Sequence, residues 1–582
     1  MTDFRGITDR YARFVEAKQL LNREDWHLLV QQFKSASDDC DNGWRCEYFG
    51  KMMRGASVTY SYTKNEQLYT LLTDAAKEML QTQDERGRFS TYSIANEFNG
   101  WDMWGRKYVL LGFLYYYDIC RDEQLKNQII AALEKHLDYI VEHVGRNKKE
   151  IYETSDAWKC VNSASILEPT LLMYRKTGKQ SYLTFSEYII DYLWNGEACI
   201  FRCAYENRLD PFEYPVTKAY EVMSCFEGLL VYYEMTHEEK YLNTVIRFAD
   251  RLINSEITVI GDAGCFEESF NNAAKTQTDT DLTCIKQETC VTVTYMKLCH
   301  HLLLLTDNSK YADEMERSAY NALYGAVNTL ECKSVRGEVF TFDSYSPLTL
   351  DRRNRDVGGY KNITDSRHYG CCVAIGAHGT GMMPLYAVRE HNRGITLDFY
   401  EIGRICTAGF EIGVDTAYPL CGAIRISILK APNMQNEIKL RLPIFSENRA
   451  AVSVNGHETE ISNGYAVISR QWRAGDTVEL TLDMSPRVIK AIGVAGKPET
   501  KNFIAILYGP LCLARDKRLG EVGTPIRYCK DFKLETADAS AFPCELMVTA
   551  KFGRNSVTLI DYMSAGRTLD DNSLTEAWLP VK

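Results

Sequence analysis

The first two thirds of the chain repeat one pattern of apolar and polar positions. An amphipathic helix ends in a short polar loop and a second amphipathic helix follows, as in LVYYEMTHEEKYLNTVIRFADRLI. Within each unit the apolar residues recur every three or four positions, which is helical spacing. The residue before the loop is, in turn, Thr63, Cys120, Thr177, Thr236 and Thr306. The steps of about 57, 57, 59 and 70 residues fit one helical hairpin and its connection.

Five such hairpins, with a sixth expected near the N-terminus, predict a closed ring of helix pairs, an (α/α)6 barrel. An open solenoid is the alternative, since both architectures stack the same unit. We favour closure because the connections are long and irregular, whereas open arrays use shorter and more uniform repeats. Long connections at one end of such a barrel build a pocket.

The period of the pattern changes after about residue 385. Segments such as AIRISIL and DTVELTLDM alternate apolar and polar residues, as strands with one buried face do. Hairpin turns are predicted at Asn455-Gly456 and Asn463-Gly464. The pattern indicates a C-terminal antiparallel β-sandwich or jelly roll. We expect the helical barrel over 1–384 and the sandwich over 385–500, with 501–582 as a second β-domain or the completion of the first.

Composition excludes several classes of partner. Of the 582 residues, 45% are hydrophobic and 25% charged, as in folded globular proteins. The net charge is −11 and the basic residues are dispersed, which argues against binding to nucleic acid. No apolar run is long enough to span a membrane, and the N-terminal segment lacks the apolar core of a signal peptide. We expect a cytoplasmic protein whose 19 cysteines are mostly free thiols.

Two short segments stand out from this background. One is Gln287-Glu288-Thr289-Cys290; the other is the pair Cys371-Cys372 in a glycine-rich stretch expected to form a loop before the first strands. One carboxylate and three thiolates suit tetrahedral zinc. Residues two apart do not share a helix face, so Glu288 and Cys290 can converge only where the chain is not yet helical, with Thr289 as the candidate N-cap. The spacing matches no standard zinc finger, so by itself it does not decide whether these residues bind a metal.

These segments resemble glycoside hydrolase family 127, the family of β-L-arabinofuranosidases. QETCVTVTYMKLCHHLL is followed about eighty residues later by CCVAIGAHG, and the likeness continues through WRCEYFGKMMRGASVTYSYT, DMWGRKYVLLGFL, KAYEVMSCFEGLL and AILYGPLCLA. It covers nearly the whole chain. The resemblance implies an (α/α)6 barrel followed by β-sandwich domains, which agrees with the periodicity.

The resemblance also implies a zinc site and a nucleophile. Zinc would be held by Glu288, Cys290, Cys371 and Cys372, and Cys371 would be the family's nucleophile. Attack of its thiolate on the anomeric carbon would form a thioglycosyl enzyme, and hydrolysis on the same face would retain configuration. The alternative is a purely structural zinc site that joins the barrel to the loop.

A general acid/base is expected in the segment GDAGCFEESFNN. Family members carry a glutamate two residues before an aromatic residue here, and Glu268, before Phe270, matches it best. Glu267 is the alternative, since the loop in this chain is a few residues longer. A solvated acidic loop without a catalytic role is the third interpretation.

Four residues are candidates for contacts with the sugar: Arg106, Lys218, Tyr345 and His368. Relatives carry histidines in the segments that here contain Arg106 and Lys218, and fixed cations would suit a substrate with a carboxylate. Alternatively these cations pair with nearby acids such as Asp102 or Glu221. His378, in the Cys-Cys segment, is left without an assignment.

We therefore expect a retaining, exo-acting β-L-arabinofuranosidase that acts on an oligosaccharide or glycoside. One alternative is the same mechanism on an acidic or branched pentose such as aceric acid. Polysaccharide lyases and sugar epimerases also combine helical barrels with β-sandwiches, and a non-catalytic carbohydrate-binding relative is a further alternative. The oligomeric state is open, with a homodimer as one option.

Overall fold

The structure is a computed structural model of the 582-residue chain. It describes residues 2–282, 286–334, 336–353, 358–461, 464–568 and 571–582. Asn463 of the second predicted hairpin turn lies outside these residues. Among the helices described, none combines the length and apolar character needed to cross a membrane.

The α-helices of the described residues are α1 Ile7–Val15, α2 Arg23–Gln31, α3 Cys46–Thr63, α4 Glu66–Leu80, α5 Asp102–Ile119, α6 Glu123–His143, α7 Val161–Ala164, α8 Leu167–Thr177, α9 Gln180–Asn195, α10 Ile200–Glu206, α11 Ala219–Thr236, α12 Glu239–Ser255, α13 Ala273–Thr276, α14 Thr289–Thr306, α15 Ser309–Ser318, α16 Tyr324–Ala326 and α17 Cys371–Leu385.

Six of these helices form a closed inner ring. Helices α3, α5, α8, α11, α14 and α17 contact one another in this order, and α17 returns to α3. Apolar side chains such as Leu110, Leu229 and Leu298 are fully buried in the barrel core. The predicted (α/α)6 barrel is confirmed, and each predicted loop position is the last residue of an inner helix or, for Cys120, its C-cap.

The sixth unit differs from the prediction of an N-terminal hairpin. Its inner helix, α17, comes last in the barrel, and α1 from the N-terminus packs against it. The ring therefore closes where the beginning and the end of the helical region meet. The repeat of consecutive hairpins does not include this unit, because its two helices are more than 350 residues apart in the chain.

Helix α17 corrects the expectation of a glycine-rich loop around Cys371-Cys372. Its glycines fit where a larger residue would not: an added Cβ would lie 2.5 Å from the Phe342 ring at Gly376 and 2.9 Å from Thr59 at Gly381. Glycine inside a helix costs about 1 kcal/mol. Close packing against neighbouring elements offsets that cost, so the segment is helical despite its composition.

The strands of the described residues are β1 Thr2–Phe4, β2 Lys286–Glu288, β3 Tyr345–Pro347, β4 Asp351–Arg352, β5 Tyr360–Thr364, β6 Arg367–Gly370, β7 Val388–His391, β8 Gly394–Leu397, β9 Gly403–Thr407, β10 Phe410–Thr416, β11 Ala423–Lys430, β12 Gln435–Arg441, β13 Ala451–Val454, β14 His457–Glu458, β15 Tyr465–Gln471, β16 Thr477–Thr481, β17 Arg487–Lys490, β18 Phe503–Tyr508, β19 Leu511–Asp516, β20 Lys533–Thr536, β21 Met547–Phe552, β22 Asn555–Asp561, β23 Leu574–Glu576 and β24 Leu579–Pro580.

The strands after the barrel form three sheets. As far as the chain is described, the first has the order β1-β9-β10-β11-β16-β13-β14 and the second β15-β12-β8-β7. Pairing is antiparallel as predicted, except that β8 and β12 run parallel. Asn455 and Gly456 form the predicted turn between β13 and β14, with φ of 51° and 81°. Strand β1 pairs with β9 and so ties the N-terminus to the β-region.

The third sheet follows the path β17-β18-β19-β22-β21-β20, with β23, β24 and β4 joined to it. Strand β4 comes from the segment between α16 and α17, so this sheet also contacts the helical region. The domain boundaries at 384 and 500 stay a proposal.

Candidate active site

A cavity of about 290 Å³ lies where the inner helices begin. Its lining comes from the start of α3, α5, α11 and α17 and from the loops before them: Trp44, Glu47, Lys51, Trp101, Trp104, Trp158, Lys218, Tyr220, Glu221, Glu268, Glu288, Gly359 and Cys371. We call it the thiol cavity. Helix amino ends carry partial positive charge, so this end of the barrel stabilises thiolates and carboxylates.

The four residues predicted to bind metal come together at this cavity. One ligand atom from each of Glu288, Cys290, Cys371 and Cys372 lies within 4.8 Å of all the others. The Cys372 sulfur is 3.4 Å from that of Cys290 and 3.7 Å from that of Cys371. A tetrahedral metal with thiolate ligands needs donors at this mutual spacing. Residues 83 positions apart in the chain therefore form one cluster.

Local backbone structure explains how the cluster forms. Glu288 ends β2 and occupies the N-cap position of α14 with extended backbone, φ −94° and ψ 129°. Cys290 is the second residue of that helix, so the two side chains are free to turn to the same side. The prediction of Thr289 as N-cap is wrong by one position, because its hydroxyl donates to the Asp343 carbonyl at 2.7 Å. Hairpin β5–β6 ends at Gly370, and Cys371 follows as the first residue of α17.

The three cysteines differ in access to the cavity. Cys290 and Cys372 are fully buried, whereas Cys371 is half-buried and lines the cavity. Burial raises the pKa of the Cys290 and Cys372 thiols. Hydrogen bonds from these two thiols hold the pKa of Cys371 well below its usual value, helped by the ammonium groups of Lys51 and Lys218.

The donor set fits a thiophilic metal ion. Thiolates with one carboxylate suit zinc and related ions, and Glu288 Oε2 is buried without a hydrogen-bond partner among the described residues. Lys51 Nζ lies 3.9 Å from Cys290 Sγ and 3.0 Å from Glu47 Oε2. This ammonium partly offsets the negative charge that three thiolates would concentrate here.

Gly359 closes over the Cys371 sulfur. It has a left-handed backbone, φ +55°, and an added Cβ would lie 2.6 Å from Cys371 Sγ. Its carbonyl accepts hydrogen bonds from Trp44 Nε1 at 2.6 Å and Tyr48 Oη at 3.1 Å. Only glycine combines this φ with this clearance.

Glu268 is the predicted acid that enters the cavity. Its carboxylate accepts hydrogen bonds from Tyr345 Oη at 2.6 Å and from Lys218 Nζ. Glu267 is exposed and does not line the cavity. Both residues have positive φ, 49° and 60°, which is unfavourable for non-glycine residues. Backbone bonds from Ala219 to Glu268 and from Phe270 to Thr217 fix Lys218 beside Glu268.

Two further acids line the cavity. Burial raises the pKa of both Glu47 and Glu221 to about 7. Glu47 accepts from Lys51 and from Trp104 Nε1, whereas Glu221 Oε2 has no partner among the described residues. Glu47 was not among the predicted site residues, and Glu221 was expected only as an ion-pair partner.

Four tryptophans give the cavity an aromatic wall. Trp101 contacts Trp44, Trp104 and Trp158, with ring centroids 5.7, 5.8 and 5.4 Å apart. Flat apolar rings of this kind suit the C–H faces of sugars. These tryptophans were not among the predicted site residues, although Trp44 opens the segment WRCEYFGKMMRGASVTYSYT and Trp104 is the third residue of DMWGRKYVLLGFL. For Trp44, Trp101 and Trp104 the available signal was their position at or just before the start of an inner helix, α3 or α5.

Two predicted sugar contacts lie away from the cavity. Arg106 is fully buried and its guanidinium bonds Asp102 at 3.0 Å and Glu97 at 2.9 Å. These bonds favour the ion-pair alternative over a contact of Arg106 with substrate. His368 Nδ1 lies 2.8 Å from Glu338, and His368 also does not line the cavity. Lys218 lines the cavity and bonds Glu268, whereas Tyr345 does not line the cavity but also bonds Glu268.

Two family models match long stretches of the chain. The family model described as Beta-L-arabinofuranosidase, GH127 catalytic domain, matches residues 5–383, and the GH127 middle-domain model matches residues 395–484. The non-reducing end β-L-arabinofuranosidase of Bifidobacterium longum subsp. longum is 22% identical over 372 residues. That alignment covers 58% of this chain and 55% of the relative, so the match spans about half of the relative's length.

Two solved structures share the fold along the whole chain. A GH127 β-L-arabinofuranosidase from Geobacillus stearothermophilus T6 superposes with a TM-score of 0.74 at 17% identity and covers 100% of both chains. A second GH127 β-arabinofuranosidase has a TM-score of 0.71 at 18% identity and covers 99% of this chain and 94% of its own. At these identities the likeness concerns the fold alone.

Proposed function

The chain belongs to glycoside hydrolase family 127, and we propose that it is a retaining, exo-acting β-L-arabinofuranosidase with a cysteine nucleophile. One observation carries the proposal. Of three clustered cysteines, only Cys371 is open to a cavity that also contains the carboxylate of Glu268. A nucleophile and a general acid facing one cavity are the two groups that a retaining glycosidase requires.

Cys371 attacks the anomeric carbon of the bound furanose. Its sulfur forms the new bond while the bond to the leaving oxygen breaks, which gives a thioglycosyl enzyme. Cys290 and Cys372 are fully buried, so neither can reach a sugar in the cavity. The helix amino ends around the cavity favour the thiolate form of Cys371.

We assign zinc as the metal of the cluster, with Glu288, Cys290, Cys371 and Cys372 as ligands. When bound, zinc supplies the positive charge that keeps these thiols deprotonated at neutral pH. The mutual spacing of the donors, at most 4.8 Å, supports the assignment. The unpartnered Glu288 Oε2 supports it further.

Glu268 transfers the proton in both steps. It first protonates the leaving oxygen, and its carboxylate then removes a proton from the water that attacks the anomeric carbon. Microscopic reversibility assigns both roles to one group. Tyr345 and Lys218 hold the two carboxylate oxygens, so the group is oriented before substrate binds.

The charge of the cavity favours a neutral pentose over an acidic one. Its lining has the carboxyl groups of Glu47, Glu221, Glu268 and Glu288 but only the ammonium groups of Lys51 and Lys218. Lys51 bonds Glu47 and Lys218 bonds Glu268, so neither cation is free for a substrate carboxylate. A lyase or epimerase would leave the thiol cluster without a role.

Cys290, Cys371 and Cys372 form no disulfide. This supports our proposal of a reducing compartment, where a catalytic thiol persists without oxidation.

A panel of p-nitrophenyl glycosides tests the substrate. We expect the β-L-arabinofuranoside to be hydrolysed at least about a hundredfold faster than the α-anomer and than an acidic pentoside. Elemental analysis should find about one zinc per chain, with zinc–sulfur distances of about 2.3 Å by X-ray absorption. Preference for the acidic pentoside, or no hydrolysis of any glycoside by the zinc-loaded protein, contradicts the proposal.

A further inference from the structure

A second cavity, of about 510 Å³, lies at the opposite end of the inner helices. Its lining comes from the later turns of α5, α11, α14 and α17 and from α8, with residues such as Asp118, Glu234, Leu304 and Tyr386. We call it the basal cavity. It is larger than the thiol cavity, and among the described residues none lines both. A volume in this range is typical of small-molecule sites.

The fixed charges of the basal cavity pair with one another. Lys297 bonds Glu168 at 2.5 Å and Glu227 at 3.1 Å. Arg175 bonds Glu234 and Lys176 bonds Asp118, each at 2.9 Å. His301 lies 3.2 Å from Glu227 and 3.7 Å from Glu234. Four cations thus meet four carboxylates, and helix carboxyl ends add partial negative charge. This pairing favours a neutral ligand over an anion.

Three buried polar atoms of the lining have no partner within the described chain. They are His300 Nε2, His378 Nδ1 and Glu227 Oε1, on side chains that are 9%, 2% and 1% exposed. Burial lowers the pKa of His300 to about 3 and that of His378 below its usual value, so both imidazoles are neutral. Each neutral ring has one donor and one acceptor nitrogen. An unsatisfied buried group costs about 1–3 kcal/mol, so a partner is expected.

Aromatic surfaces flank these atoms. The His300 ring stacks on Tyr386 with centroids 3.8 Å apart and 17° between the planes, and Tyr115 packs edge-on against His378 at 5.8 Å. Rings beside neutral donors and acceptors match a molecule with both hydroxyl groups and C–H faces.

We propose that the basal cavity binds a neutral, polyhydroxylated ligand of mono- to disaccharide size. This is a second sugar site, separate from the thiol cavity. The hydroxyl groups of the ligand bond His300 Nε2, His378 Nδ1 and Glu227 Oε1, and a C–H face of the sugar lies against Tyr115 or Tyr386. It goes beyond the proposed hydrolysis, because none of its residues touches the thiol cluster.

The test uses the full chain with the Cys371→Ser substitution, so that no probe is hydrolysed. Crystals are soaked separately in L-arabinose, cellobiose and glucuronate. We expect density for a neutral sugar in the basal cavity, bonded to at least one unpartnered atom, and none for glucuronate. Water alone in this cavity with both neutral probes, or glucuronate there instead, overturns the proposal.

Calorimetry with the neutral probe seen in the crystal then tests the contacts. His300→Phe keeps the stack on Tyr386 but removes both ring nitrogens, and it should weaken affinity for the basal site about tenfold. The matched control is His27→Phe, at an exposed histidine on α2, which should not change affinity. Thermal unfolding checks the fold, and Tyr386→Leu replaces His300→Phe if that variant does not fold. Unchanged affinity in the folded cavity variant overturns the site.

Discussion

The two cavities lie at opposite ends of the same inner helices and differ in the balance of charged groups that line them. At the amino ends, carboxylates outnumber ammonium groups and three thiols crowd together. At the carboxyl ends, every fixed cation faces a carboxylate. The helix dipoles explain the difference, because the amino ends stabilise negative charge that the carboxyl ends would repel. The barrel thus has one end suited to an anionic nucleophile and another suited to neutral ligands.

Removing the Cys371 thiolate should have the largest effect. Cys371→Ser replaces it with a far weaker nucleophile, and we expect kcat to fall about a thousandfold or more while the fold and the basal site persist. Cys332→Ser is the matched control, since Cys332 is also a partly buried free thiol. Steady-state kinetics and thermal unfolding measure both. A fully active Cys371→Ser protein would remove the cysteine mechanism.

Glu268→Gln should reduce turnover by about 10² to 10⁴ on glycosides with poor leaving groups. The loss should be smaller on activated aryl glycosides, whose leaving oxygen needs little protonation. Glu267→Gln is the neighbouring control and should be near normal, because Glu267 is exposed. If the two variants exchange these behaviours, the acid/base is Glu267.

Gly359→Ala should lower kcat about a hundredfold, because the new methyl group would contact the Cys371 sulfur at 2.6 Å and displace it. Gly337→Ala is the matched control. Gly337 also has positive φ, 84°, but an added Cβ there meets nothing within 4 Å. Both variants place a Cβ on a backbone with positive φ, so equal activities would show that the clearance over Cys371 does not matter.

The last variant, His301→Gln in the basal cavity, should change how the free energy of unfolding depends on pH and should have the least effect on activity. Burial opposes protonation of His301, but bonds to Glu227 and Glu234 raise its pKa from 6.5 to about 9. Because the pKa of His301 is higher in the folded state, its protonated form stabilises the fold fully below pH 6.5. This stabilisation is lost as the pH rises to 9. At 1.36 kcal/mol per pH unit the loss is about 3 kcal/mol.

His301→Gln should therefore flatten the free energy of unfolding between pH 6.5 and 9, as measured by urea denaturation. His27→Gln, at an exposed ion pair, is the control and should keep the wild-type slope. A slope in His301→Gln equal to that of wild type would mean that other groups set the pH dependence.

The sequence predicted the barrel and the thiol cluster well for one physical reason. Helical periodicity and a dense Glu-x-Cys and Cys-Cys pattern are local signals, and local signals survive in a single sequence. The inner-helix ends at Thr63, Thr177, Thr236 and Thr306 followed from periodicity alone. The roles within the cluster came from the family resemblance, since the spacing alone did not decide whether a metal is bound.

What the sequence did not predict depends on distant parts of the chain. The sequence of helix α17 resembles that of a loop because it is rich in glycine. The glycines are needed only because neighbours such as Phe342 and Thr59 pack too closely for a larger side chain. For Arg106 the partner Asp102 was foreseen as an alternative, but nothing in the local pattern shows that Glu97 also bonds the guanidinium. The basal cavity draws on five helices, and each of its residues by itself resembles an ordinary position on an amphipathic helix.

The central claim is that Cys371, and not Cys372, bonds the sugar. A bromoacetamide-bearing β-L-arabinofuranosyl analogue should label the protein once, and L-arabinose should slow the labelling. Both cysteines lie on one tryptic peptide, residues 368–389, so fragment ions between positions 371 and 372 must assign the adduct. We predict the adduct on Cys371. An adduct on Cys372, or on a cysteine outside the thiol cavity, would contradict the account.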